Sequence, residues 1–259
     1  MIEPLAWIVA PLGVFLIAGM KGAFGGGFAI LGIPLLALTM DPIAAGAMLA
    51  PLLLVMDLFA LRRWQPSTWS RPDLFALLPG LVVGVVVGAA LVAVAPSRLV
   101  AVLMAVVTLA FAGYWFWAQR GGRVAPARRP VSRWRALLAG TGSGVTTTLA
   151  HAGGPPLALY MLRRDLAPAV YAGTTSVFFT VANVLKVGPW LLAAPPTAEV
   201  WALMALCVPV CWAGVSAGVA LHGRLPADRL FWWCHLLLVV VALKLLWDGE
   251  CARGPGGGL

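Results

Sequence analysis

Long apolar stretches alternate along the chain with short polar or basic ones. Eight apolar elements can be marked, at 5–38, 43–61, 74–94, 98–118, 134–162, 168–190, 199–221 and 228–248. Most are about 20 residues long, which at about 1.5 Å per residue matches a hydrocarbon core of about 30 Å. Backbone groups in lipid must be paired within their own segment unless strands close into a barrel, so the expected fold is an all-α integral membrane protein. The first and fifth elements are too long for one pass, and glycine and proline interrupt each. The first breaks at Gly22-Ala23-Phe24-Gly25-Gly26-Gly27, with Gly32 and Pro34 beyond. The fifth breaks at His151-Ala152-Gly153-Gly154-Pro155-Pro156.

The two breaks belong to an internal duplication. Gly154-Pro155-Pro156-Leu157-Ala158-Leu159 resembles Gly32-Ile33-Pro34-Leu35-Leu36-Ala37, and an ungapped shift further along superposes Pro79 on Pro209, Gly84 on Gly214, Gly88 on Gly218, Leu91 on Leu221, Pro96 on Pro226 and Trp117 on Trp247. The expected architecture is therefore two homologous repeats of four elements with the first and fifth elements discontinuous. The first repeat spans 1–118, an arginine-rich linker 119–133, the second repeat 134–250 and a flexible tail 251–259.

Composition agrees with lipid as the main solvent. Hydrophobic residues make up 61% of the chain and charged ones 10%, with a mean hydropathy of +0.94, where soluble domains carry roughly 25% charged residues. The net charge of +9 would suggest nucleic acid in a soluble protein, but its placement points elsewhere. Arg120, Arg123, Arg128, Arg129, Arg133 and Arg135 fall in one segment, and Arg62, Arg63 and Arg71 in another. Basic clusters beside apolar spans resist translocation, which places loop 62–73 and linker 119–133 in the cytoplasm of a multi-pass protein of the cell (inner) membrane. No Lys or Arg precedes the first apolar run, so that run is read as a membrane element and not as a cleavable leader. If the broken elements cross, the N-terminus joins the basic side; if they re-enter, the halves become inverted repeats and Arg98 is left almost alone outside.

Broken helices at corresponding places in two repeats point to a transporter's binding site. A break inside the membrane frees N–H groups at new helix ends, and their positive dipole ends favour an anion. Ionisable groups within the apolar spans are rare, and each becomes a candidate. Lys21 precedes the first break, His151 opens the second, Asp57 lies on the second element, and Asn183 and Lys186 lie on the sixth. Lys186 and Arg62 fall at similar places in the repeats when two residues are inserted. His151 and Asp57 are candidates for carrying a coupled proton, since imidazole titrates near neutrality. Hydroxyls gather around the second break at Thr141, Ser143, Thr146, Thr147, Thr148, Thr174, Thr175 and Ser176. Gly84-x-x-x-Gly88 and Gly214-x-x-x-Gly218 read as helix-packing seams. Cys207, Cys211 and Cys234 with His235 read as buried apolar residues and not as a metal site. No cofactor and no metal are expected.

At these residues the chain resembles a known family. The break Gly25-Gly26-Gly27 with Pro34, the motif Gly153-Gly154-Pro155-Pro156, and Tyr171-Ala172-Gly173-Thr174 running to Asn183 and Lys186 are similar to the TauE/SafE family of sulfite exporter-type permeases. The resemblance covers nearly the whole chain. It implies a secondary transporter for sulfite, a sulfonate or a related organosulfur anion, with substrate contacts at Gly26, Gly27, Gly153, Gly154, Pro155, Thr174, Asn183 and Lys186, to which the sequence adds Lys21. His151 is not part of the family pattern. The expected partners are a small anion, the lipid bilayer and a coupling proton, with a homo-oligomer left open and nucleic acid excluded. A passive anion channel is the alternative, ahead of a membrane-embedded enzyme or a non-transporting scaffold. An enzyme is not expected, because Gly142-Ser143-Gly144 has Thr141, not glycine, two places before the serine.

Overall fold

A computed structural model describes residues 3–26, 29–94 and 130–222, with scattered helical positions between 99 and 113 and at 239. The expected elements 98–118 (in large part) and 228–248, most of the linker, the tail and Gly27 lie outside the described residues. Among the described residues the regular structure is helical throughout. The helices are α1 (Ala6–Phe24), α2 (Gly32–Leu36), α3 (Pro42–Arg63), α4 (Arg71–Val94), α5 (Arg133–Ala150), α6 (Gly154–Met161), α7 (Pro168–Ala193) and α8 (Ala198–Leu221). Five of them, α1, α3, α4, α7 and α8, are long and apolar enough to cross a membrane.

Local chemistry sets the boundaries. Asp41 caps α3, its carboxylate accepting the N–H groups of Ile43 at 2.9 Å and Ala44 at 3.0 Å, and Pro42 follows where no N–H is needed. Proline opens α7 in the same way. Helix α1 stops at Gly25, which turns left-handed at φ 79° and donates its N–H to the Lys21 carbonyl. Helix α5 stops at His151, also left-handed at φ 52°, where a side chain is strained and glycine would not be.

Beyond each break the chain doubles back. Leu36 and Leu35 lie against Gly13, halfway back along α1. In the second hairpin Pro156 lies against Gly142, and the Ser143 hydroxyl donates to the Gly153 carbonyl at 2.5 Å. Both broken elements are therefore hairpins, α1–α2 and α5–α6, entering from opposite ends of the bundle.

Close packing fixes the helix directions. Gly80, Gly84 and Gly88 of α4 meet Leu137, Thr141 and Thr148 of α5 in ascending order, so these helices run parallel. Gly214 and Gly218 of α8 meet Phe15 and Gly19 of α1 likewise. At Gly80, Gly84, Gly140, Gly144 and Gly218 an added Cβ would strike a facing carbonyl, so only glycine permits the approach. That contact replaces the hydrophobic drive that lipid cannot supply. Helices α3 and α7 cross antiparallel, with Gly46 beside Trp190 and Asp57 beside Asn183.

This arrangement collects Arg62, Arg63, Arg71, Arg133, Arg135, Arg163 and Arg164 at one end of the bundle. The described residues at the other end offer Glu3, Asp41 and Glu199. At the basic end a buried knot ties α4, α6 and α7 together. Asp73 accepts from Ser70 Oγ at 2.5 Å, Tyr160 Oη at 2.8 Å and Arg164 Nε at 2.7 Å. The Ser70 N–H donates to Thr174 Oγ1 at 2.8 Å.

Candidate functional site

The two hairpins bring ionisable groups to the α3–α7 crossing. Lys21 lies one turn before the tip of α1, and its ammonium meets Asp57 Oδ1 of α3 at 2.6 Å. The other carboxylate oxygen accepts from Asn183 Nδ2 of α7 at 2.5 Å. Both Asp57 oxygens are thus engaged, one by a cation and one by an amide. Asp57 is wholly buried and Lys21 nearly so, and a buried ion pair holds only when the remaining lone pairs find partners in this way.

One turn along α7, Lys186 is 1% exposed. Its Nζ reaches the Thr147 carbonyl at 3.1 Å, Thr147 Oγ1 at 3.0 Å and His151 Nδ1 at 2.7 Å. His151 Nε2 lies 3.1 Å from the Gly46 carbonyl of α3. Nδ1 lies 3.3 Å from the Thr147 carbonyl as well as 2.7 Å from Lys186; with Nε2 as the donor to Gly46, Nδ1 is left as the acceptor toward Lys186. Among the described residues no carboxylate pairs with Lys186. Lys21 and Asp57 offset one another, whereas a charged Lys186 would stand without a counter-charge among the described residues, at a depth where that is costly.

These groups enclose a small cavity lined by Lys21, Gly26, Thr147, His151, Asn183 and Lys186, with Ile17, Ala29 and Phe179 as its apolar wall. Its volume of about 10 Å³ admits one water-sized particle. Anything larger enters only when side chains move. Trp190 stands behind His151, ring centroids 5.5 Å apart, and donates its indole N–H to the Thr148 carbonyl at 3.0 Å.

Of the residues expected from sequence, Lys21, Gly26, His151, Asn183 and Lys186 share this cavity, and Asp57 adjoins it through Lys21 and Asn183. Gly153 packs against Phe179, Ser143 and Thr147, while Gly154 and Pro155 open α6 outside the lining. Pro155 and Pro156 have no N–H, so that helix end offers few bare amides. Thr174 has its hydroxyl oxygen engaged by the Ser70 N–H, away from the cavity. Arg62, matched in sequence to Lys186, is exposed with its guanidinium over the Phe59 ring. Of the other lining residues, Thr147 was named in the sequence only within the group of hydroxyls before His151, and Phe179 was not named. The density of hydroxyls before His151 was the available signal for Thr147; none marked Phe179. The expected metal-free reading of the cysteines concerns Cys207 and Cys211, which are buried free thiols; Cys234 and His235 lie outside the described residues.

A family model described as sulfite exporter TauE/SafE matches residues 11–245 of the chain. No curated protein and no solved structure matches it.

Proposed function

The chain belongs to the sulfite exporter TauE/SafE family, and on that premise we propose that it is a secondary transporter that seats a sulfite, sulfonate or related organosulfur anion in the cavity at the α3–α7 crossing. The family is one of membrane transporters, and the apolar helices agree with a multi-pass membrane protein. One observation carries the site assignment. Among the described residues Lys186 is a buried group with no carboxylate partner, and once protonated it is the site's unbalanced charge, beside an amide donor, Asn183, and a second lysine, Lys21. An anion of charge minus one would neutralise the site. Hydrogen bonds from Asn183 Nδ2 and the two ammonium groups would then replace its hydration, as charge-assisted donors do most effectively.

We read the halves as inverted repeats. Asp57 and Asn183, which touch, are 126 positions apart. The same offset carries Pro42 to Pro168, Gly25 to His151, Gly46 to Ala172 and Trp64 to Trp190. Contacts exchange accordingly: a Cβ on Gly25 would strike the Ala172 carbonyl, and His151 reaches the Gly46 carbonyl. The axis relating the halves then passes through the Asp57–Asn183 contact, and the hairpins enter from opposite faces. The arginine-bearing end faces the cytoplasm under the positive-inside rule. Opening one hairpin mouth and closing the other gives alternating access to a fixed seat.

The test is anion flux into proteoliposomes. Lys186→Ala should fold, elute as the parent does, and lose sulfite and sulfonate flux by about 100-fold or more, the order expected when a charge-assisted contact worth about 3 kcal/mol is removed. Unchanged flux in that variant would reject the seat. Flux that saturates with anion concentration supports a carrier, whereas unitary currents in a planar bilayer would support a channel instead.

A further inference from the structure

Lys186 lines the anion cavity yet has nothing to offer it. Each of its three N–H directions is engaged, two by Thr147 and one by His151 Nδ1. The residue that holds it is itself unusual. His151 is left-handed at φ 52°, a conformation that strains a side chain, at the place where the other hairpin has Gly25. Its ring is fixed on both sides, Nε2 on the Gly46 carbonyl and one face near Trp190. The backbone strain is retained where glycine would remove it, and what it secures is an imidazole nitrogen at 2.7 Å from the lysine.

We propose that His151 is a proton-operated positioning residue: a proton arriving on its Nδ1 removes the acceptor that holds Lys186, turns the ammonium into the cavity, and so couples anion binding to uptake of one proton. This deepens the transport reading and rests on it. With Nδ1 protonated, two cations would face each other across a hydrogen-bond distance, and the lysine is the one free to swing. Thr147 still accepts from it, so the motion is a pivot about that residue. The charged groups facing the pair are Lys21 from α1, Asp57 from α3 and Lys186 itself from α7; α5 contributes only the neutral oxygens of Thr147. Lys21 and Asp57 cancel, so the second proton on the pair finds its counter-charge in the arriving anion. Neither binds well without the other, which is the reciprocity that coupling requires. On release, anion departure leaves two adjacent cations, and the proton on His151 leaves with it.

The experiment uses the full chain in proteoliposomes with methanesulfonate, which stays fully ionised across the pH range, and with sulfite as a second probe. With one proton per monovalent anion, a gradient of one pH unit raises accumulation about tenfold. The wild type should show that rise for methanesulfonate, and His151→Gly, which fits the left-handed backbone and frees Lys186 with no proton bound, should show none. Titration calorimetry in two buffers of different ionisation enthalpy should find about one proton taken up per anion in the wild type and none in the variant. His151→Asn, whose side chain tolerates the same backbone and still accepts from Lys186, should hold the lysine and lose anion binding at every pH. A tenfold response that survives in these variants overturns the proposal, as does wild-type flux that ignores the gradient. Absence of wild-type flux for both anions would instead remove the transport reading beneath it.

Discussion

The two hairpin tips are built to one plan and finished differently. At the first, Gly25 makes the left-handed turn without strain, Lys21 is neutralised by Asp57 at 2.6 Å, and buried Trp64 meets His222 edge-on at 5.0 Å. At the second, His151 makes the same turn under strain, Lys186 meets Thr147 and His151 and no carboxylate among the described residues, and Trp190 donates to the Thr148 carbonyl. Among the described residues the indole N–H of Trp64, the counterpart of Trp190, has no partner. Among the described residues one tip pairs its lysine with a carboxylate but leaves its tryptophan unlatched; the other has its tryptophan latched but no carboxylate beside its lysine. The asymmetry separates two tasks. On the proposed reading the first half holds the crossing together and the second receives the negatively charged guest.

The same change made in each half should expose this difference most strongly. Lys21→Met leaves the Asp57 carboxylate buried without its cation and should destabilise the protein by about 3–5 kcal/mol, read as an early thermal transition in detergent. Adding Asp57→Asn should recover most of that loss. Lys186→Met removes a cation that no carboxylate balances, and stability should stay within about 1 kcal/mol of the parent while anion flux disappears. Equal destabilisation by the two lysine changes would erase the distinction.

A second pair sharpens the comparison at the tryptophans. Trp190→Phe removes the donor to the Thr148 carbonyl and should cost about 1–3 kcal/mol. Trp64→Phe removes an N–H that has no partner and should change thermal stability by no more than a few tenths of that. The smallest effect belongs to His151→Gly. Relief of left-handed strain, worth about 1–2 kcal/mol, is set against the hydrogen bonds to Gly46 and Lys186, about 1 kcal/mol each, so the melting point should barely move while the response to a pH gradient vanishes.

Much of this was legible in the sequence, because lipid imposes crude rules. Element length, the Gly–Pro breaks and the rarity of Lys21, Asp57, His151 and Lys186 within apolar runs follow from bilayer thickness and the cost of burying charge. Hydropathy, however, reports length and not direction, so the doubling back of α1–α2 and α5–α6 was not visible in it; the arginine distribution alone favoured it. The register between halves was obscured by small insertions. The shift that superposes Gly84 on Gly214 differs from the offset that brings Asp57 to Asn183, and a third, smaller than both, sets Arg62 against Lys186. Hydroxyls were ambiguous for a simpler reason: Thr174 and Thr147 look alike in sequence, but a loop amide occupies one and a lysine the other.

The seat itself can be tested by sight. Selenite has the shape and charge of sulfite and scatters anomalously, so crystals grown with it report its position without a choice of density interpretation. The account predicts one anomalous peak at the α3–α7 crossing, within hydrogen-bond reach of Lys186 Nζ and Asn183 Nδ2. Peaks confined to the arginine-bearing end, with Lys186 still fixed on Thr147 and His151, would contradict it.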